Sequence, residues 1–171
     1  MSNKDAGTPH VEVPFAPTEI TGRSSLRVMV RYTRIQDVKA PREAVFRYLT
    51  EVERLPAKFP DIFAKMEVVG MDGGSRLILC EEKWAGRHLK YVMKEKQYPP
   101  QRIEHTITEG SGKGSIETLG LEEIAGGTRI TMTMDARGLA AALLGRLFRK
   151  QFEKEIGQIF SAYTQVIEAA D

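Results

Sequence analysis

The 171-residue chain predicts an α+β domain in which a seven-stranded, curved antiparallel sheet wraps around one long C-terminal helix, with two short helices after the first strand. Three observations predict it. From Lys65 onward, short strand-like stretches alternate with brief turn signals. The hairpin registers those turns imply gather apolar side chains on one face. The final segment, Leu139 to Ala169, carries apolar residues at steps of three and four, the stripe needed to cover such a face.

The first strand is expected over Leu26 to Ile35, where Leu26, Val28, Val30 and Tyr32 alternate with Arg27, Met29, Arg31 and Thr33. A period of two marks a half-buried strand. Lys39-Ala40-Pro41-Arg42-Glu43 then opens a helix, with Pro41 suited to the first turn, where its missing N–H does no harm. Ala44, Val45, Tyr48, Leu49 and Val52 recur at helical spacing, and a second short helix fits Val52 to Lys58, ahead of Pro60. Six strands follow at Lys65 to Met71, Arg76 to Trp84, Arg87 to Tyr98, Arg102 to Glu109, Gly114 to Ile124 and Thr128 to Arg137. Their connections are short, so neighbours should pair as antiparallel hairpins. Leu144, Phe148, Phe152, Ile156, Ile159, Phe160, Tyr163, Val166 and Ile167 form the stripe of the last helix, which would be about 46 Å long at 1.5 Å per residue. Gly145 and Gly157 inside it each cost about 1 kcal/mol against Ala, which points to a close approach or a bend.

Turn lengths convert into faces, because cross-strand partners share a side of the sheet. A two-residue turn at Ala85-Gly86 pairs Cys80 with Tyr91 and Ile78 with Met93. Reading Pro99-Pro100-Gln101 as a three-residue turn pairs Glu95 with His105 and Met93 with Ile107. A four-residue connection from Gly110 to Lys113 pairs Ile107 with Ile116 and His105 with Thr118. A three-residue connection over Ala125-Gly126-Gly127 sets Gly120 opposite Met132 and Thr118 opposite Met134. Ile78, Cys80, Trp84, Leu89, Tyr91, Met93, Ile103, Ile107, Ile116, Ile130, Met132 and Met134 then share the inner face. Lys90, Lys94, Lys96, Arg102, Glu104, Glu117, Arg129, Thr131, Thr133 and Asp135 share the outer one. A one-residue slip would invert a strand.

Composition excludes several classes. Apolar residues make up 42% and charged residues 28%, with a formal charge of +2. Lys and Arg are interspersed with Asp and Glu, so no nucleic-acid surface is indicated. No apolar run approaches the roughly 20 residues of a membrane-spanning helix, although transient membrane contact stays compatible. Residues 1–25, with Pro9, Pro14 and Pro17, read as a flexible tail without the apolar core of a signal peptide, and Val11, Val13 and Phe15 could dock it on the domain of residues 26–171. The single cysteine, Cys80, fits a reducing, cytoplasmic setting and an inert, buried thiol. His10, His88 and His105 lack metal-ligand spacing, and no nucleotide or nucleophile-elbow motif occurs, so neither metal nor cofactor is expected.

Glu95 and His105 are the candidate pair for chemistry. Opposite one another on the apolar face, they could anchor a ligand's head group or act as an acid–base pair, or simply form a salt bridge at the rim. Glu82 and Glu122, near strand ends, read as solvated rim residues. Trp84 and Tyr91 could offer an indole N–H and a hydroxyl to a ligand. Met93, Met132 and Met134 suit an adaptable apolar wall, with Ile107 beside them and Phe148, Phe152 and Ile156 facing them from the helix.

This order of elements resembles the START/Bet v 1-like (SRPBCC) superfamily, the helix-grip domains of polyketide cyclase/dehydrase or coenzyme Q-binding type. The passage from Val38 through Ala40-Pro41 to Tyr48-Leu49 resembles the family's opening strand-to-helix stretch. Glu53-Arg54-Leu55-Pro56 and Phe59-Pro60 resemble the approach to its second strand, and Tyr98-Pro99-Pro100-Gln101-Arg102-Ile103 and Gly126-Gly127-Thr128-Arg129-Ile130-Thr131 two of its turns. The resemblance implies an apolar pocket between sheet and helix for a hydrophobic small molecule (a lipid, an isoprenoid or a polyketide-like compound); a carrier or sensor of such a molecule would need a mostly apolar pocket of roughly 300–1,000 Å³. The resemblance equally admits an aromatase/cyclase-type enzyme using Glu95 and His105, or a protein-interaction module with a vestigial cavity.

Overall fold

The computed structural model describes residues 30–84, 86–138, 141 and 149–169. The elements are β1 (Val30–Val38), α1 (Arg42–Thr50), a 3₁₀ turn (Val52–Arg54), α2 (Leu55–Lys58), β2 (Phe63–Asp72), β3 (Ser75–Trp84), β4 (Arg87–Tyr98), β5 (Arg102–Gly110), β6 (Ile116–Ile124), β7 (Gly127–Ala136) and α3 (Arg149–Ala169). Residues 1–29, which include the expected tail and the start of the expected first strand, lie outside the described residues. So do 139, 140 and 142–148 of the expected long helix, with Leu144, Gly145 and Phe148.

All seven strands form one antiparallel sheet in the order β1-β7-β6-β5-β4-β3-β2. Consecutive hairpins build β2 through β7, and β1 closes against β7, so α1 and α2 carry the chain from one edge to the other. The β1–β7 seam has polar support: Arg31 lies opposite Asp135 and Asp37 opposite Arg129, each pair joined by two hydrogen bonds of 2.6–2.9 Å. Gly127 is required at the start of β7, because a Cβ there would collide with the Val38 carbonyl. Next to it the buried Thr128 hydroxyl donates to the Ala40 carbonyl at 2.8 Å, and the Lys39 N–H donates to Glu168 Oε1 at 2.8 Å. These bonds tie the β1–α1 corner to β7 and to the end of α3.

Pro41 takes the N-cap of α1, one position before the expected first turn. Its ψ of 145° is extended, and its carbonyl accepts the Val45 N–H at 3.1 Å. Val45, Phe46 and Leu49 of α1 join Val52 and Leu55 in the core. Helix α3, about 31 Å long at 1.5 Å per residue, buries Ile156, Ile159, Phe160, Tyr163 and Ile167. Val166, expected in this stripe, is 37% exposed, because the stripe passes from Tyr163 to Ile167 a full turn on. At Gly157 the nearest atom to an added Cβ would be Arg34 Nη1 at 3.6 Å, so no close approach accounts for that glycine.

Two expected registers hold and two do not. Cys80 pairs with Tyr91, Ile78 with Met93, Glu95 with His105 and Met93 with Ile107. Strand β6 is inverted relative to expectation. Thr106, not Ile107, faces Ile116, and His105 faces Glu117, not Thr118. Gly110, Gly112 and Gly114 all have positive φ, and the Gly114 N–H donates to the Ile107 carbonyl. The loop from β5 is therefore longer than four residues, and it closes with the Ile107 N–H donating to the Ser115 carbonyl at 2.9 Å. At the other end the turn is Ala125-Gly126 alone, so Leu119, not Gly120, meets Met132, and Glu117, not Thr118, meets Met134. The two slips cancel at β7. Within β6, Leu119 and Leu121 are buried, Ile116 is 40% exposed, and Glu117 turns inward.

Candidate functional site

A cavity of about 200 Å³ lies between the concave face of the sheet and α3. It is smaller than the sequence predicts. Met66, Met93, Ile107, Leu119, Ile130, Met132 and Met134 line it from the sheet, Leu49, Val52 and Leu55 from the short helices, and Phe152, Ile156, Ile159, Phe160 and Tyr163 from α3. Its polar wall includes Glu82, Tyr91, His105 and Glu117. Among the candidates, Trp84 pairs with Arg87 through its backbone, but its side chain, like all of Phe148, lies outside the described residues.

Burial defines the electrostatics. Glu95 is 1% exposed and stands behind His105, off the cavity wall. Its Oε1 accepts from Arg76 Nε at 2.9 Å, and Gln97 Nε2 also donates to it. His105 is held from both sides: Nε2 lies 3.1 Å from Glu95 Oε2 and Nδ1 lies 3.0 Å from Glu117 Oε1. The result is a chain, Arg76–Glu95–His105–Glu117, running from the far end of β3 across β4 and β5 to the cavity on β6. Burial alone would lower the His105 pKa, but the hydrogen bonds and charges of Glu117 and Glu95 outweigh it and raise the value to about 9. Burial likewise would raise Glu95, yet the His105 contact, Gln97 and Arg76 hold its carboxyl below the usual range. Buried ions persist only when paired in this way, since each alone costs several kcal/mol.

Glu82 corrects the expectation of a solvated rim. It is 8% exposed, lines the cavity, and accepts the Tyr91 hydroxyl at 2.6 Å. Burial first, and the Glu82 charge second, push the Tyr91 pKa well above that of a free phenol. Glu122 is exposed. The Cys80 thiol is fully buried and its pKa is driven up chiefly by desolvation, which keeps it an inert thiol. The residues sequence reasoning missed are Arg76, Gln97 and Glu117. Two signals existed: Arg76 stands on the same face of β3 as Ile78 and Cys80, and Leu119 with Leu121 shows which parity of β6 turns inward. No group of residues with metal-binding potential occurs among the described residues, and no described helix is long and apolar enough to cross a membrane.

Solved structures share this fold at low identity. The Zhui aromatase/cyclase from Streptomyces sp. R1128 superposes with a TM-score of 0.69 at 15% identity, covering 82% of this chain and 94% of that one. A START superfamily protein from Mycobacterium smegmatis gives 0.68 at 13% identity, covering 82% and 99%. Norcoclaurine synthase from Thalictrum flavum, solved with dopamine and hydroxybenzaldehyde, gives 0.64 at 13% identity, covering 90% and 97%. No curated protein matches by sequence. These likenesses show the fold alone, a helix-grip arrangement of a curved antiparallel sheet around a C-terminal helix. A family profile matches residues 29–167, well over half of the chain, and the protein belongs to that family: polyketide cyclase / dehydrase and lipid transport.

Proposed function

We propose that the protein binds a hydrophobic small molecule, a lipid, isoprenoid or polyketide-like compound, in the cavity under α3 and serves as its carrier or sensor. The observation that carries this reading is a void left inside the core and walled mostly by methionine, leucine, isoleucine and phenylalanine. Cores normally pack with few voids larger than a water molecule. Methionine, unbranched and polarizable, suits a wall that reshapes around its occupant. Native mass spectrometry of the purified chain should reveal a co-purified apolar compound, or saturable uptake of an added one. Met132→Trp, which fills the void from β7, should abolish that uptake. Unchanged uptake in a folded Met132→Trp protein would place the ligand elsewhere and defeat the proposal.

A second reading, an aromatase/cyclase-type enzyme, draws support from the cavity-facing Tyr91–Glu82 and His105–Glu117 pairs together with the family. In this reading Glu95 is a positioning residue, because it touches His105 and not the cavity. Incubation with a thioester-linked poly-β-ketone and a search for a cyclised product that has lost water tests it. Equal conversion by the wild type and by Tyr91→Phe and His105→Gln variants would dismiss those groups as the catalysts.

A further inference from the structure

The seam between β1 and β7 pairs its charges with one exception. Arg31 and Arg129 each hold an aspartate across the strands, Asp135 and Asp37 respectively. Arg34, between them on the other face of β1, lies opposite Met132. It is half-buried, and its guanidinium carbon reaches to 5.5 Å from the centre of the Phe160 ring on α3. That ring offers the cation a π-face but no lone pair for its N–H groups. Among the described residues no carboxylate pairs with Arg34 and no acceptor meets its buried Nε. An unmade hydrogen bond is costlier on a charged group than on a neutral one. The terminal nitrogens end at Gly157, where a Cβ would stand 3.6 Å from Nη1 and 3.8 Å from Nη2. Packing does not require a glycine there, and a helix interior disfavours one. The missing side chain leaves an opening. Arg34 and Gly157 together line a surface groove between β1 and α3, with Lys154, Gln158 and Ser161 along it. Glu153 also borders the groove, so two cations face one carboxylate.

The geometry points to an oxyanion site in this groove, taking a phosphoryl group on the Arg34 fork through the Gly157 opening, with Lys154 and Ser161 beside it. A planar guanidinium presents parallel N–H groups that match two oxygens of one anion. A carboxylate has no further oxygen, whereas the third oxygen of a phosphoryl group can meet the Lys154 ammonium or the Ser161 hydroxyl. Such an anion would join β1 to the middle of α3. None of Arg34, Lys154, Gly157 and Ser161 lines the cavity under α3, so the inference stands apart from the proposed apolar ligand.

The test is a titration of the full, isotope-labelled chain at pH 7 and constant ionic strength, followed by NMR at the Arg34 Nε–H and the Gly157 amide. Inorganic phosphate, glycerol 1-phosphate and acetate are the probes. Phosphate should move both signals saturably, and acetate should bind about threefold or more weakly for want of a third oxygen. In Arg34→Gln the Gly157 shift should need about tenfold more phosphate, the loss of one charge-assisted hydrogen bond. Gly157→Ala, whose methyl stands on the approach to both terminal nitrogens, should weaken phosphate by about tenfold while the protein itself gains stability. A glycine with a merely structural role would not separate binding from stability in this way, and this variant decides the matter if Arg34→Gln fails to fold. Glycerol 1-phosphate as tight as phosphate or tighter assigns the site to an ester head group, and weaker binding assigns it to the free ion. Unsaturated shifts with both phosphates, unchanged phosphate affinity in Gly157→Ala, or acetate as tight as phosphate would overturn the phosphoryl site.

Discussion

His105 should make folding stability fall across mildly alkaline pH. Its ordinary pKa is 6.5, and the two carboxylates raise it to about 9 in the folded state. A group whose folded pKa is raised contributes its full stabilisation below the unfolded pKa and loses it as pH rises through the folded one. The window here is pH 6.5 to about 9. Within it, stability should decline by about 1.4 kcal/mol per pH unit, for a total of about 3 kcal/mol. Urea denaturation at half-unit steps from pH 6 to 10 measures it, and the His105→Gln variant isolates it. His105→Gln should be less stable at pH 6, since it leaves Glu95 and Glu117 facing each other across a neutral amide. Its profile should lack the alkaline decline, so the two curves converge above pH 9. The ring carbon shifts of His105, followed by NMR, should report a titration near 9. Parallel stability curves for the two proteins, or a ring that titrates below 7, would refute the clamp and the reasoning built on it. At the acid end the sign reverses: Glu95, held below the usual carboxylate range, loses its contribution only as pH falls through that depressed value.

Glu95→Gln removes the anion shared by Arg76, Gln97 and His105. It should cost about 3 kcal/mol at pH 7 by urea denaturation and lower the His105 titration seen by NMR. Gly157→Ala should raise stability by about 1 kcal/mol, or about 2–4 °C in Tm, because the new methyl meets only the Arg34 guanidinium at ordinary contact distance. Gly110→Ala should do the opposite. Its φ is 80°, and a Cβ there would strike the Lys90 carbonyl, so a loss of more than about 1 kcal/mol is expected in the same thermal melt.

Much of this architecture was legible because the chain punctuates its hairpins. Ala85-Gly86 read as a two-residue turn and Pro99-Pro100-Gln101 read as a three-residue turn give the Cys80–Tyr91 and Glu95–His105 pairings that the structure has. Pro41 and the spacing of Val45 and Leu49 mark α1. The volume of the cavity was not legible, because a void is the difference between large side-chain volumes and no local pattern encodes it. Nor was the burial of Glu82. Its position on the inner face follows from the alternation of β3, but its depth depends on Phe63 of β2 pairing with it across a bulged edge. Position along a strand says nothing of how much another strand covers.

The inversion of β6 carries the most consequence. Glycines bracket this strand, at 110, 112 and 114 before it and at 126 and 127 after it. Glycine accepts both signs of φ, so neither turn announces its length. The strand's own pattern is divided: Ile116 and Ile124 favour one parity, Leu119 and Leu121 the other. Matching Ile116 to Ile107 satisfies hydrophobicity locally and places a threonine beside His105. The observed register gives up that match, leaves Ile116 at 40% exposure, and puts the Glu117 carboxylate beside the imidazole. Exposing a half-buried isoleucine costs about 1–2 kcal/mol, whereas a protonated His105 beside Glu95 alone would leave its second ring N–H without an acceptor inside the core. An unpaired buried donor on a charged group costs at least as much. The ionic chain begun at Arg76 thus requires a carboxylate at its inner end, and the register of β6 is the one that supplies it. The same register also decides which β6 side chains line the cavity, Glu117 and Leu119 among them.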